Sequence, residues 1–266
     1  GELSKLVEEA RLQYPDLTDG EIRTLIELKH SKQRGFFGKT KKQMLSDIVR
    51  EAAIFRTDKG GIQDLRFDVA PNSETGAIEI SVPKEQVTKY VNAVDGINTF
   101  IDKNPKFLDL VNGEGGTQYV RVVADSKQFA SLYGSVSNSF AGDVSGVLGV
   151  NISFRDADGK LLTSILINDG SLSRGSKPAG DFGDASEHTF IHEFGHTIGN
   201  LITYDKNKSR RIGNEYDDAF SEFITTYGKT SRDEHFADSF AKYVMTGEAS
   251  DAFLAFLQSS DLVDSV

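Results

Sequence analysis

Apolar residues recur at helical spacing early in the chain, change to strand-like alternation after a double glycine, and return to helical spacing beyond residue 184. Leu3, Leu6, Val7, Ala10 and Tyr14 repeat every three or four positions before Pro15. Thr18 and Glu21 form a capping box ahead of Ile22, Leu25 and Ile26. Thr40 and Gln43 repeat that signature ahead of Met44, Leu45, Ile48, Val49, Ala52 and Phe55. The pattern predicts a helical appendage over residues 1–59, closed by Gly60-Gly61, and a second domain over residues 60–266.

The second domain opens with strand signals. Ile78, Ile80 and Val82 alternate with polar residues, and Pro83 starts a helix carrying Val87, Tyr90, Val91 and Val94 on one face. A further, separate helical stretch around Ile97, Phe100 and Ile101 runs to Pro105. Tyr119 to Val123 reads as a short buried strand, and Phe129, Leu132 and Tyr133 as a helical face. Val147–Phe154 and Leu161–Asn168 read as a hairpin whose connection contains Asp158-Gly159, a favoured turn step. Residues 169–183 hold four glycines, three serines and a proline, which predicts a loop too poor in apolar residues to form a core element. Such a loop either flanks a cleft or simply connects.

A further helix is bracketed by Asp184 and Glu187, spaced as an N-cap and its capping-box partner, and by Gly199-Asn200 as a stop, giving about four turns. It carries His192-Glu193-Phe194-Gly195-His196, an H-E-x-x-H pattern. On a helix His192 and His196 lie one turn apart on one face, so two imidazoles can reach one metal ion. Glu193 sits about 100° round, placed to act on water at that ion without being a ligand. A catalytic zinc site usually takes a third protein ligand, and the next helix supplies candidates. There Phe236, Ala237, Phe240, Ala241 and Val244 mark the buried face. Glu234 and Asp238 share another stripe, Glu234 able to bind metal and Asp238 to orient a ligating histidine through its second ring nitrogen. His188 lies one turn before His192 and is read as a rim or supporting residue, because pairing it with His192 leaves Glu193 and His196 without a purpose.

Composition narrows the chemistry. The chain has no cysteine, so disulfides, thiolate ligands and a cysteine nucleophile are excluded and any metal must be held by His and carboxylate. Two imidazoles and one carboxylate suit Zn2+. The net charge of −10 argues against nucleic-acid binding, which needs clustered Lys and Arg. No apolar run is long enough for a membrane span and no signal peptide is visible. Because the first residue is Gly, a leader or delivery domain upstream is compatible with the chain. A basic island of Lys29, Lys32, Arg34, Lys39, Lys41 and Lys42 around Phe36 and Phe37 reads first as solvated loop, with a docking site for an acidic partner as the alternative.

Residues 160–247 resemble the catalytic domains of the anthrax lethal factor family, zinc endopeptidases of the gluzincin type. In these, H-E-F-G-H is followed by a Tyr-Gly-(basic)-Thr segment and Glu-x-Phe-Ala-(acid)-x-Phe. The matching pieces are His192 to His196, Tyr227 to Thr230 and Glu234 to Phe240, with the seven-residue step from Tyr227 to Glu234 kept. The residue four after Glu234 is Asp238 rather than Glu, which shortens its reach by one methylene. Residues 61–159 fit the family loosely and residues 1–55 not at all.

The resemblance implies an α+β zincin-type domain, a small mixed sheet over an H-E-x-x-H helix with a helical C-terminal part. It also implies Zn2+ on His192, His196 and Glu234, Glu193 as general base, Tyr227 as an oxyanion donor, and Asp238 behind the ligands. The alternative for Tyr227 is a buried aromatic capping a helix end, and the family spacing favours the oxyanion role over it. Substrate, by the same resemblance, is a protein or peptide added along a sheet edge, with Leu161–Asn168 as candidate edge strand. By family analogy the protein is a toxin- or effector-like protease, secreted or delivered into a target cell, with a protein partner for the N-terminal helices. The alternatives are a catalytically silent binding module derived from such an enzyme, a zinc hydrolase of another amide bond, and cargo on a phage or cell-surface structural protein.

Overall fold

The structure is a computed structural model that describes residues 54–56 and 61–264 apart from 117, 137–145, 156, 160, 179, 181 and 208–210, together with residues 5 and 8. Lys5 and Glu8 are helical; the remainder of the expected N-terminal helices and the basic island lie outside the described residues. The chain divides into two compact units, Gly1–Phe55 with Arg66–Val82, and Arg56–Leu65 with Pro83–Val266.

Phe55, expected on the buried face of a helix, lies instead in a strand, β1 (Ile54–Arg56). Ile54 is β-branched and Phe55 aromatic, the residue types enriched in strands. β2 covers Ile62–Phe67. In the first unit β3 (Val69–Pro71) pairs antiparallel with β4 (Ile78–Ile80), matching Val69 to Ile80. Their turn is organised by Asn72, whose Oδ1 accepts from the backbone N–H groups of Glu74 and Thr75 at 2.8 and 3.0 Å.

The second unit is an α+β arrangement, a small mixed sheet packed on one long helix, with a helical C-terminal part. Four strands run in the order β2, β5 (Gln118–Val123), β7 (Leu161–Asn168), β6 (Gly149–Arg155). β5 and β7 are parallel, Gln118 opposite Thr163, and β6 and β7 are antiparallel, Gly149 opposite Ile167. The hairpin is thus present, but β7 is not the sheet edge. Nearly every β7 side chain is buried, as expected of an apolar run covered on both faces and paired on both sides, and β6, beyond it, is an edge strand among the described residues.

α1 (Lys84–Lys103) is one continuous helix rather than two segments, with Tyr90, Val94, Ile97, Phe100 and Ile101 buried; α2 (Lys106–Val111) follows Pro105. α3 (Ser126–Val136) packs Phe129 against Val123 and Leu166. The glycine- and serine-rich stretch was expected to stay out of the core, yet it begins with a short buried helix, α4 (Asp169–Leu172). Polar bonds take the place of apolar burial there: Asp169 Oδ1 accepts from Tyr90 Oη at 2.6 Å and Gln86 Nε2 at 2.8 Å.

α5 (Ala185–Asn207) carries the H-E-x-x-H residues. Asp184 caps it, its Oδ1 accepting from the N–H groups of Ser186 and Glu187 at 2.9 and 3.1 Å. Gly199-Asn200 does not end it; the helix runs 23 residues. Gly199 is instead a packing point, where a Cβ would stand 3.1 Å from Phe236 Cδ1. The C-terminal part consists of 3₁₀ turns at Asn214–Tyr216 and Gly228–Thr230, α6 (Asp217–Phe220), α7 (Arg232–Thr246) and α8 (Asp251–Ser259). Among the described residues no helix is long and apolar enough to cross a membrane.

Candidate metal centre

The five residues of the H-E-x-x-H segment serve three directions at once. Phe194 is fully buried and meets Phe240 of α7 at 5.9 Å between ring centroids. Gly195 faces α7 directly: a Cβ there would lie 3.1 Å from Ala237 Cα. The missing side chain lets the two helices approach closely, and that approach brings the first two turns of α7 beside His192 and His196. Ser231 caps α7, accepting from Glu234 N at 3.1 Å, so Glu234 lies in the first turn, where the helix dipole favours a carboxylate.

Glu234 Oε2 lies 2.9 Å from His192 Nε2 and 3.2 Å from His196 Nε2, and the two imidazole nitrogens are 3.1 Å apart. A tetrahedral ion bound at about 2.0–2.1 Å needs its ligand atoms about 3.3 Å apart, so this triangle fits such an ion after a small expansion. Behind it Asp238 Oδ1 accepts from His192 Nδ1 at 2.7 Å and lies 3.1 Å from His188 Nε2. Thr225 Oγ1 donates to the other Asp238 oxygen. His188 is buried against Phe182, ring centroids 4.2 Å apart. Among the described residues two triples can hold a metal ion, His192 with His196 and Glu234, and His188 with His192 and Asp238.

The electrostatics follow from burial and pairing. Burial works against a charged His192, but the carboxylates of Asp238 and Glu234 on its two nitrogens outweigh it and lift the imidazole to about 10. Burial likewise opposes ionisation of Glu234 and Asp238, yet hydrogen bonds from His192 and His196 to the first, and from His188 and His192 to the second, hold both well below the usual carboxylate range. Glu193 is buried without such a donor to its carboxyl, and burial pushes it up. Without a metal, His192 therefore stays protonated between two ionised carboxylates.

Glu193 is held under β6. A Cβ at Gly149 would come within 2.9 Å of Glu193 Cγ and 3.0 Å of Oε1, so the strand passes directly over the carboxylate. Asn151, two residues on, donates through Nδ2 to Glu193 O at 2.7 Å and to Thr197 Oγ1 at 2.8 Å. Thr197 donates onward to Gln118 Oε1 at 3.1 Å. These bonds fix the helix beneath the sheet at the level of Glu193.

Tyr227 is not a buried cap. It is 48% exposed, and its ring centroid lies 6.0 Å from that of His192. Burial and the nearby Glu234 and Glu193 carboxylates push its hydroxyl up, so it stays protonated and able to donate at neutral pH. His235, beside Glu234 in sequence, points away: Tyr216 Oη is 2.7 Å from its Nδ1 and its Nε2 is 2.7 Å from the Glu222 carbonyl. It pins the preceding loop to α7.

All the residues singled out in the sequence, His192, Glu193, His196, Tyr227, Glu234 and Asp238, thus meet in one place, with His188 behind. Gly149, Asn151 and Thr225 were not foreseen, since each acts through contacts that no local spacing announces. Set against models of known protein families and against curated proteins, the chain matches none.

Proposed function

We propose that the chain is a zinc-dependent endopeptidase whose ion is held by His192, His196 and Glu234. The observation that carries this reading is the triangle of three ligand atoms 2.9–3.2 Å apart, flanked by the Glu193 carboxylate and the Tyr227 hydroxyl. The second triple is better read as support. Asp238 already accepts from three side chains, and its bond to His192 Nδ1 turns Nε2 of that ring towards His196 and Glu234.

A divalent ion held there would supply Lewis acidity to polarise the amide carbonyl and lower the pKa of its bound water. Glu193 takes the proton from the attacking water and returns it to the leaving amine; its burial raises its basicity for that task. Tyr227 donates to the oxygen on which charge develops, a role typically worth about 3 kcal/mol. Among the described residues β6 has no strand on its side away from β7, so that side offers main-chain groups to an extended peptide, and Gly149 brings that line over Glu193.

The resemblance of residues 160–247 to lethal-factor-like gluzincins supports peptide-bond hydrolysis over other amide chemistry. It also motivates the reading as a toxin-like effector delivered to another cell, with residues 1–59 as the segment that engages a partner. The test is metal-dependent cleavage: chelator-treated protein should lose activity on a peptide library and regain it with zinc, and His196→Ala should not regain it. Cleavage that survives metal removal would refute the reading.

A further inference from the structure

Thr225 is buried, and its one hydroxyl joins two parts of the site that the sequence separates. Oγ1 donates to Asp238 Oδ2 and accepts from the backbone N–H of Gly228 at 2.8 Å. Both directions are forced, because an ionised carboxylate only accepts and a backbone N–H only donates. The other Asp238 oxygen accepts from His192 Nδ1 at 2.7 Å. Gly228 follows Tyr227, whose carbonyl is held in turn by Thr230 N at 3.0 Å and Thr230 Oγ1 at 2.7 Å. A continuous path therefore runs from the Tyr227–Gly228 peptide through Thr225 and Asp238 to His192.

Two close contacts fix this path. A Cβ on Gly228 would lie 3.0 Å from Thr225 Oγ1 and 2.8 Å from Ile224 Cγ2, so only a residue without a side chain lets the backbone reach the hydroxyl. The Thr225 methyl is confined by Gly180, where a Cβ would stand 2.8 Å away, and confining the methyl sets the direction of the hydroxyl. Serine in place of threonine keeps the bonds and loses only the methyl. Valine keeps the shape and loses both bonds.

We propose that Thr225 is a positioning residue that couples the placement of Tyr227 to the grip of His192 on the metal, so that ordering either one orders the other. The proposal rests on the metallopeptidase reading and deepens it. By linkage, an ion that fixes His192 tightens the Gly228 amide, and a disturbance at Thr225 weakens the ion. Tyr227 itself contributes nothing to this path through its ring; its backbone is the link.

The test is amide hydrogen exchange at Gly228 in the full chain with and without Zn2+, together with zinc affinity by chelator competition. In the wild type and in Thr225→Ser, zinc should slow Gly228 exchange about ten-fold or more. In Thr225→Val at saturating zinc the slowing should fall below about two-fold, and zinc affinity should drop, by less than the about 10–100-fold typical of losing a direct partner of a ligating histidine. Equal slowing in Thr225→Val, or no slowing in zinc-bound wild type, would overturn the proposal. Should Thr225→Val not fold, Asp238→Asn breaks the same path from its other end and must give the same loss. If the wild type binds no zinc, the metallopeptidase reading fails, and the coupling is judged on metal-free His192→Ala. Faster Gly228 exchange there, absent when Thr225 is also replaced, supports it; an unchanged rate refutes it.

Discussion

Asp238 Oδ1 and His192 Nδ1 lie 2.7 Å apart, both side chains buried between α5 and α7. That contact fixes the tautomer and the plane of the imidazole, leaving Nε2 directed at Glu234. Aspartate spans the gap despite its short side chain because Gly195 lets α7 approach α5 so closely. Asp238→Ala should therefore lower zinc affinity about 10–100-fold. Asp238→Glu, one methylene too long for this gap, should also bind zinc less tightly than the wild type. Titration against a competing chelator measures both, and wild-type affinity in Asp238→Ala would show that the contact has no part in metal binding.

Gly195 itself offers a second prediction. Alanine is intrinsically the better helix residue by about 1 kcal/mol, but its methyl would press on the backbone of Ala237, and overpacking costs about 1–3 kcal/mol. Gly195→Ala should lower stability in urea and weaken zinc binding together, because pushing α7 outward moves Glu234 and Asp238. Increased stability with unchanged zinc affinity would mean that the helices have room to spare.

A substitution at Gly149 distinguishes the proposed base role of Glu193 from the proposed metal binding. A Cβ there would come within 3.1 Å of Thr189 Cγ2 as well as crowding the Glu193 side chain. Gly149→Val should reduce kcat at least about ten-fold, since small displacements of a catalytic group carry costs of that order, while zinc content stays at the wild-type level. Unchanged turnover would show that Glu193 keeps its working position with a side chain over it, or has no part in turnover.

How much of this was legible in the sequence depends on the range of the interactions. His192, Glu193 and His196 announce themselves because a helix converts four-residue spacing into a shared face, and Glu234 with Asp238 follow the same rule on α7. The edge of the sheet was misassigned because Val147–Phe154 and Leu161–Asn168 look alike as apolar runs; only the parallel pairing of β5 with β7 decides which one is inside. Gly199 was misread as a stop because a glycine at a helix crossing and a glycine at a helix end have the same letter and different neighbours. Thr225 and Asn151 gave no periodic sign at all, being single polar residues whose partners lie across the fold.

The charge arrangement predicts how the metal-free protein responds to pH. Asp238 and Glu234 are held below the usual carboxylate range, so the stability they contribute is present above about pH 4 and lost as pH falls. His192 is lifted to about 10, so its contribution is complete below about pH 6.5 and is lost as pH rises towards 10. Melting in the presence of chelator should show a falling midpoint from pH 6.5 to 9.5 that is flatter in Asp238→Ala. Saturating zinc should also flatten it in the wild type, because the ion takes the place of the His192 proton. Identical pH profiles for the metal-free wild type and Asp238→Ala would contradict the assignment.

Whether the His192, His196 and Glu234 centre cuts peptide bonds with Glu193 as its base is decided by digesting a peptide library with wild type and Glu193→Ala, reading cleavage by mass spectrometry and metal content in both proteins. About one zinc per chain is expected in each, with cleavage by the wild type that falls at least about a thousand-fold in the variant. Absence of bound metal in both proteins, or equal cleavage by both, would contradict the metallopeptidase reading.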